Sequence, residues 1–469
     1  MPTLVPDLVW VQGGFRRGLG IEFSASTGRI LRIATAGELG ATSTPDAAPL
    51  LRLANRALLP GFVNAHSHAF QRVIRGRGQW RPADDSRSDF WTWRRAMYEA
   101  ALTLSPDEIF DVSRFCFLEM LCAGYTTVGE FHYMHRDASG AAYAVPSELA
   151  HRVIAAAEAV GIRIVLLNVA YVTGGIGQAL QREQQRFATP DLDAWLAETT
   201  ALADFARARP LLTIGVAPHS LRAVPREWLQ PANALSRRLD APFHMHVSEQ
   251  PAEVTAVLEA WGRRPVEVLA ENGVIDDHLT AVHATHLTFR EVELLGTPGP
   301  TVCACPTTER DLGDGFLPGK ELIEAGARIA LGTDSQTLID PLGEMRLLEY
   351  HERLRRLRRV VIAASERDRI AVAPALLAMG TTGGARSLRL NAGILEPGAL
   401  ADFVAVDLEH RALEGWADDT LDALLALCAP PDVVSDVWVG GVQRVQGGHH
   451  RLDQESATAF RTVARRLSV

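Results

Sequence analysis

Eight short apolar runs, separated by longer stretches of helical character, limit what this chain can fold into more than any other feature. They are Phe62–Ala65, Thr126–Glu130, Arg163–Val169, Leu212–Ala217, Pro242–Val247, Leu279–Val282, Thr301–Cys305 and Ile329–Gly332. Each is almost continuously apolar, as a strand buried on both faces must be, and such strands alternate with helices in parallel α/β sheets. Eight of them predict a (β/α)8 TIM-like barrel. A barrel takes about 250 residues or more, which leaves spare chain at both ends of the 469. Leu8–Val11, Gly20–Phe23 and Arg29–Ile33 read as strands before it, and Ala401–Val406, Asp436–Val439 and Gln443–Val445 after it. The expectation is one small β-sandwich built from residues 1–59 and 395–469, beside a barrel domain of residues 60–394.

Helix signals fit the gaps. Ser105-Pro106-Asp107-Glu108 is a capping box with proline at the first helical position, opening a helix through Leu121. His351–Arg359 carries five arginines with Glu344, Glu349 and Glu352 in helical reach, which reads as a solvated, ion-paired helix face.

Composition narrows the function classes. Hydrophobic residues make up 47% and charged residues 22%, an ordinary globular balance, and the net charge of −9 argues against a nucleic-acid surface. The N-terminus has no basic segment followed by an apolar core, and no apolar run is long enough to span a membrane, so a cytoplasmic protein is expected. The five cysteines form no C-x-x-C pair and are expected as buried reduced thiols.

In barrels of this kind the chemistry gathers at the C-terminal strand ends. The first run ends in His66-Ser67-His68, and residues two apart on an extended backbone project to one side. Two neutral imidazoles aimed at one point suit a zinc-like metal. Taken alone, such a pair is more often structural. Other strand ends add to it: His219 after the fourth run, His244, His246 and Glu249 at the fifth, His283 at the sixth and Asp334 at the eighth.

This order, H-x-H, H-x-x-E, His and Asp, resembles the deaminase branch of the metal-dependent amidohydrolase superfamily. PGFVNAHSH (60–68) and GILEPGALADFVAVD (393–407) resemble that superfamily's junctions between the barrel and the terminal β-domain. The resemblance implies that His66, His68, His246 and Asp334 bind one divalent metal, with zinc the first expectation. Members with two metals carry a carboxylated lysine after strand four; here residues 212–220 contain no lysine, and Lys320 is the only lysine in the chain. The implied roles are proton acceptance from water by Asp334, orientation of the nucleophile by His283, and proton delivery to the substrate nitrogen by Glu249.

HAFQR (68–72), DFWTWR (89–94), EFHY (130–133), APHSLRAV (217–224) and LGDG (312–315) resemble, within that superfamily, the deiminases that hydrolyse N-formimidoyl-L-glutamate in histidine degradation. That resemblance implies a small dicarboxylate substrate clamped by Arg94 and Arg222, with Gln71, Tyr133 and His219 as further contacts. Arg95 stands beside Arg94 and the sequence does not separate them; Trp93 is expected to pack. His132, His135, His244 and His286 are read as structural. The loop after strand seven departs from the family pattern, with Arg310 and Asp311 at small or neutral positions, which admits a related formimino or guanidino substrate. The alternative enzyme is another deaminase of the superfamily, acting on guanine, a pterin or an adenosine derivative. A non-catalytic scaffold on the same fold is the alternative of a different class. No nucleic-acid or membrane partner is expected, and the commonest assembly, a homodimer, is the expected one.

Overall fold

All eight apolar runs form strands. They are Phe62–Ser67 (β1), Tyr125–His132 (β2), Arg163–Ala170 (β3), Leu212–Pro218 (β4), Phe243–Val247 (β5), Leu279–His283 (β6), Thr301–Ala304 (β7) and Arg328–Leu331 (β8). Each pairs in parallel with the next, in the order β8 to β1. The structure is a computed structural model that describes residues 2–41, 50–80, 83, 90–297, 299–366 and 369–467. Asp89, the first residue of the DFWTWR word, lies outside them.

The ring closes just beyond the ladder. Asp334, three residues past β8, bridges Ser67 in parallel: its N–H donates to His66 O and its carbonyl accepts from His68 N–H, both at 3.0 Å. Side chains reinforce the seam. Asn64 and Thr333 exchange two hydrogen bonds, and Gln336 donates to both Ser67 Oγ and Asp334 O. The approach needs Gly332, where a Cβ would lie 2.9 Å from the His66 carbonyl oxygen. Alanine there would have to push the seam open.

Both termini contribute to a second, mixed sheet of nine strands. Leu50–Pro60 is its middle strand, parallel to Thr3–Val11 on one side and antiparallel to Phe403–Asp407 on the other. Leu4, Val9, Ile21, Phe23, Phe403 and Trp438 belong to its own core, with the Phe23 and Phe403 rings edge to face at 5.4 Å. The chain passes into β1 through Gly61, where any Cβ would collide with the Thr126 side chain.

Five helices matter below: α1 (Phe90–Thr103), α2 (Pro106–Cys122), α3 (Pro306–Leu312), α4 (Pro341–Arg356) and the C-terminal α5 (Asp453–Arg466). The predicted capping box opens α2, with both reciprocal bonds present between Ser105 and Glu108. Helix α5 packs on α2, stacking Phe460 on Phe115 at 4.4 Å. The arginine-rich run in α4 differs from expectation. Its arginines are paired, Arg353 with Glu349 and Arg355 and Arg356 with Glu352, but Glu344, Glu349 and Glu352 are fully buried, not solvated. Glu349 is drawn inward because it also accepts the N–H groups of Val361 and Ile362. The cysteines form no disulfide; Cys116, Cys303 and Cys305 are buried as expected, whereas Cys428 is exposed. No helix among the described residues is long and apolar enough to cross a membrane.

One buried ion pair ties the terminal sheet to the barrel. Arg163, at the start of β3, meets Asp402 through two bonds of 3.0 and 3.2 Å, and Asp402 also accepts Gly440 N–H at 2.6 Å. Removing one partner of a buried pair leaves an uncompensated charge, a loss of about 3–5 kcal/mol. Asp402→Ala is expected to lower the urea midpoint accordingly, and an unchanged midpoint would show that the pair contributes nothing.

Candidate active site

The seam that closes the barrel also assembles a cluster of ligand atoms. His66 and His68 sit on either side of the Asp334 backbone, and β5 brings His246 across the axis. His66, His68, His246 and Asp334 are all buried, and each offers an atom within 4.8 Å of every other. His66 Nε2 lies 3.1 Å from His246 Nε2 and 3.6 Å from Asp334 Oδ1, and His68 Nε2 lies 3.2 Å from the same oxygen. Metal bonds of 2.0–2.1 Å in a tetrahedron place neighbouring ligand atoms about 3.3–3.4 Å apart. These four groups can therefore hold one cation with small adjustments.

The protonation states suit that use. His68 Nδ1 donates to Phe131 O and His246 Nδ1 to His219 O, both at 3.1 Å, so each ring turns its Nε2 lone pair inward. Burial pushes His66 down to about 3 and His246 well below the imidazole range, which keeps both neutral. Burial opposes ionisation of Asp334, but His66 and His68 hold its carboxyl well below the carboxylate range. The backbone is held in the left-handed region at Asp334 (φ 48°), Ser248 (φ 52°) and His283 (φ 70°), an uncommon state for non-glycine residues that gathers at functional sites.

His283 ends β6 with its Nε2 buried and without a hydrogen-bond partner, 3.8 Å from both Glu249 Oε1 and Asp334 Oδ2. Burial would discharge this ring, yet Glu249, Glu309 and Asp334 outweigh it and raise its pKa well above the usual range. Glu249 follows β5 and faces Arg222 across 3.6 Å, so this carboxylate is paired as well as placed beside His283. Glu309 in α3 is a residue that sequence reasoning passed over. It is fully buried and faces His283 Nδ1 at 3.4 Å.

A cavity opens over the cluster. Every residue expected to contact a ligand lines it: Gln71, Arg94, Tyr133, His219 and Arg222, together with Glu249. Gln71 donates to the Tyr133 hydroxyl at 2.9 Å, and its Oε1 is buried without a hydrogen-bond partner. Arg94 donates through Nε to Tyr98 Oη and stacks on that ring at 5.3 Å. Arg95 does not line this cavity; it lines an outer one, bounded by Gln178, Gln181 and Gln184, which Arg94 and Tyr98 line as well. Trp93, expected to pack, lines the inner cavity. Tyr98, Tyr171 and Phe187 also line it and were not foreseen; Gln184 joins the two tyrosine hydroxyls at 3.3 and 3.0 Å. No motif marks these residues, which come from three separate segments.

Of the histidines read as structural, His135 and His244 bond to the carbonyls of Val169 and Ser387, and neither lines this cavity. The two departing residues do not line the cavity, although Leu312 beside them does: Arg310 is exposed, and Asp311 is held by Gln79 and Thr337.

A parallel barrel with a buried His3Asp cluster at the C-terminal rim and carboxylates beside it defines a class, the metal-site hydrolases of the (β/α)8 fold. Comparison with known proteins narrows it. The sequence pattern of the amidohydrolase family matches residues 57–444, and the chain belongs to that family. It is 35% identical to formimidoylglutamate deiminase of Pseudomonas aeruginosa over 98% of both chains. It is 30% identical to 5-methylthioadenosine/S-adenosylhomocysteine deaminase of Halobacterium salinarum over 86% of this chain and 85% of that one. Among solved structures, an amidohydrolase from Brucella melitensis superposes with a TM-score of 0.89 at 34% identity over the full length of both. An adenosine deaminase from Xanthomonas campestris, solved with bound zinc, shares the fold at a TM-score of 0.81 and 24% identity, over 100% of this chain and 98% of that one. The chain is thus a deaminase-type hydrolase of carbon–nitrogen bonds.

Glu253 sits behind the cavity, fully buried, and accepts Glu249 N–H at 3.2 Å. Burial pushes it up to about 7 against the pull of Arg222, from an ordinary value of 4.5. Between those values the folded chain holds a proton that the unfolded chain has lost. Stability therefore falls as pH rises from about 4.5 to about 7, by on the order of 3 kcal/mol for this group. In urea titrations across that range, Glu253→Gln should remove this slope; parallel slopes for variant and wild type would contradict it.

Proposed function

We propose that this chain is a zinc-dependent deiminase that hydrolyses N-formimidoyl-L-glutamate to N-formyl-L-glutamate and ammonia, as a cytoplasmic homodimer serving histidine degradation. The observation that carries the substrate is the pairing of two guanidinium groups, Arg94 and Arg222, in one cavity with the cluster of four ligand groups. Two carboxylates on a five-carbon chain match two cations, and arginine binds carboxylates through paired hydrogen bonds. The likeness to formimidoylglutamate deiminase over almost the whole chain supports the same reading.

His66, His68, His246 and Asp334 would hold the cation, which when bound supplies Lewis acidity that makes a water nucleophilic near neutral pH. Asp334, ionised in its buried setting, accepts the proton of the attacking water. His283 orients that water through Nε2. Glu249, in its protonated form, delivers a proton to the amidine nitrogen as the water oxygen bonds to carbon. The proton taken by Asp334 then goes to the same nitrogen while the adduct's hydroxyl proton returns to Glu249, so the C–N bond breaks, ammonia leaves and the C=O of the N-formyl group forms. The unpartnered Oε1 of Gln71 can accept an N–H of the substrate.

The second reading, a nucleobase-type substrate, draws on the aromatic lining of Trp93, Tyr98, Tyr133, Tyr171 and Phe187, and on the likeness to 5-methylthioadenosine/S-adenosylhomocysteine deaminase and to 8-oxoguanine deaminase of Pseudomonas aeruginosa. A neutral base would make no charge-assisted contact with either guanidinium group, whereas a dicarboxylate would make one with each. Ammonia release from formimidoylglutamate, guanine and S-adenosylhomocysteine separates the readings. Arg222→Ala should raise KM for formimidoylglutamate on the order of 100-fold, the loss of a charge-assisted contact. Turnover indifferent to that change would sink the dicarboxylate assignment. Purified protein should carry about one zinc per chain, and none after supplementation would remove the metal from the proposal.

A further inference from the structure

Glu309 does not line the cavity that Glu249 and Asp334 line, yet its carboxylate reaches the ring of His283 from the side away from them. It stands in α3, directly after β7, fully buried. Its Oε1 accepts Cys305 N–H at 2.8 Å, which fixes the carboxylate at the start of the helix, and the same oxygen faces His283 Nδ1 at 3.4 Å. Its backbone carbonyl accepts Asp314 N–H at 2.9 Å, and the Asp314 carboxyl is bound in turn by Gln250, the neighbour of Glu249. The element that follows β7 is thereby tied to the ends of β5 and β6.

The two nitrogens of His283 meet different surroundings. Nδ1 faces Glu309; Nε2 is turned, unpartnered, toward Glu249 and Asp334. An imidazole can act through one nitrogen only when the other is held in a defined tautomer, and a carboxylate on that far nitrogen also steadies the ring when it takes up a proton. The backbone of His283 is itself held in the left-handed region (φ 70°), an uncommon state for a residue other than glycine.

We infer that Glu309 is a positioning residue for the hydrolytic reaction: it keeps the proton of His283 on Nδ1 and so aims Nε2 at the nucleophile. The inference rests on the proposed role of His283 and not on which substrate is turned over. Glu309 does not line the cavity, so its effect falls on turnover and not on binding.

Metal-loaded wild type, Glu309→Gln and Glu309→Ala decide it. Glutamine keeps an acceptor for Cys305 N–H and for His283 but loses the charge; alanine loses both. With ammonia release from N-formimidoyl-L-glutamate normalised to bound metal, kcat should fall about 10-fold for glutamine and about 100-fold for alanine, with KM within about threefold of wild type. A kcat for the alanine variant within about twofold of wild type, or a loss confined to KM, would overturn the inference. If wild type does not turn over this compound, the substrate reading fails and the inference is judged by nitrogen-15 spectra of histidine-labelled holoenzyme. The His283 Nδ1 resonance, assigned with His283→Asn, should keep its protonated position in wild type and Glu309→Gln and move in Glu309→Ala. One position in all three proteins refutes it.

Discussion

Two backbone hydrogen bonds between the first strand and the residue after the eighth do most to define this protein. They join Asp334 to His66 and His68, close the barrel and set three of the four candidate ligands side by side. Closure and ligand geometry are one event, because the donor and acceptor of the seam belong to the ligand residues themselves. The surrounding polar side chains, Asn64, Thr333, Gln336, Ser67 and Glu130, satisfy one another across the seam. Burying so many polar groups is tolerable only because each finds a partner.

The electrostatics follow from the same burial. Desolvation keeps His66 and His246 neutral, whereas Asp334 stays ionised because the adjacent imidazoles stabilise its charge. With a cation bound, the imidazoles would turn lone pairs to it and Asp334 would add one negative charge. In the same cavity Arg222 and Arg94 supply positive charge, partly balanced by Glu249 and by the Tyr98 hydroxyl and ring. Before a cation binds, the cavity thus combines one buried carboxylate at the ligand cluster with two guanidinium groups in its lining.

Much of this was legible in the residues, and the misses have physical causes. The strand-end donors could be read because parallel strands buried on both faces have a plain apolar signature, and the residue after each run falls at the rim. Arg94 and Arg95 could not be told apart from sequence; consecutive residues on a helix point about 100° apart, and of the two only Arg94 lines the inner cavity, while both line the outer one. Glu309 went unread because its partner lies 26 residues away and one strand over. Glu344, Glu349 and Glu352 looked solvated because charge spacing shows only that acids and arginines share a helix. Their burial depends on what that helix packs against.

The sequence by itself determined the eight-strand barrel with a β-domain drawn from both termini, and the identity of the metal-ligand candidates. Alternation of apolar strands with helices and the placement of histidines at strand ends are local patterns that survive without three-dimensional information. Only the tertiary structure decided how those residues face one another. It set the seam that brings Asp334 between His66 and His68, the carboxylate behind His283, and the tyrosines joined through Gln184. These depend on which strand ends become neighbours when the sheet curls shut, and no periodicity along the chain carries that distance.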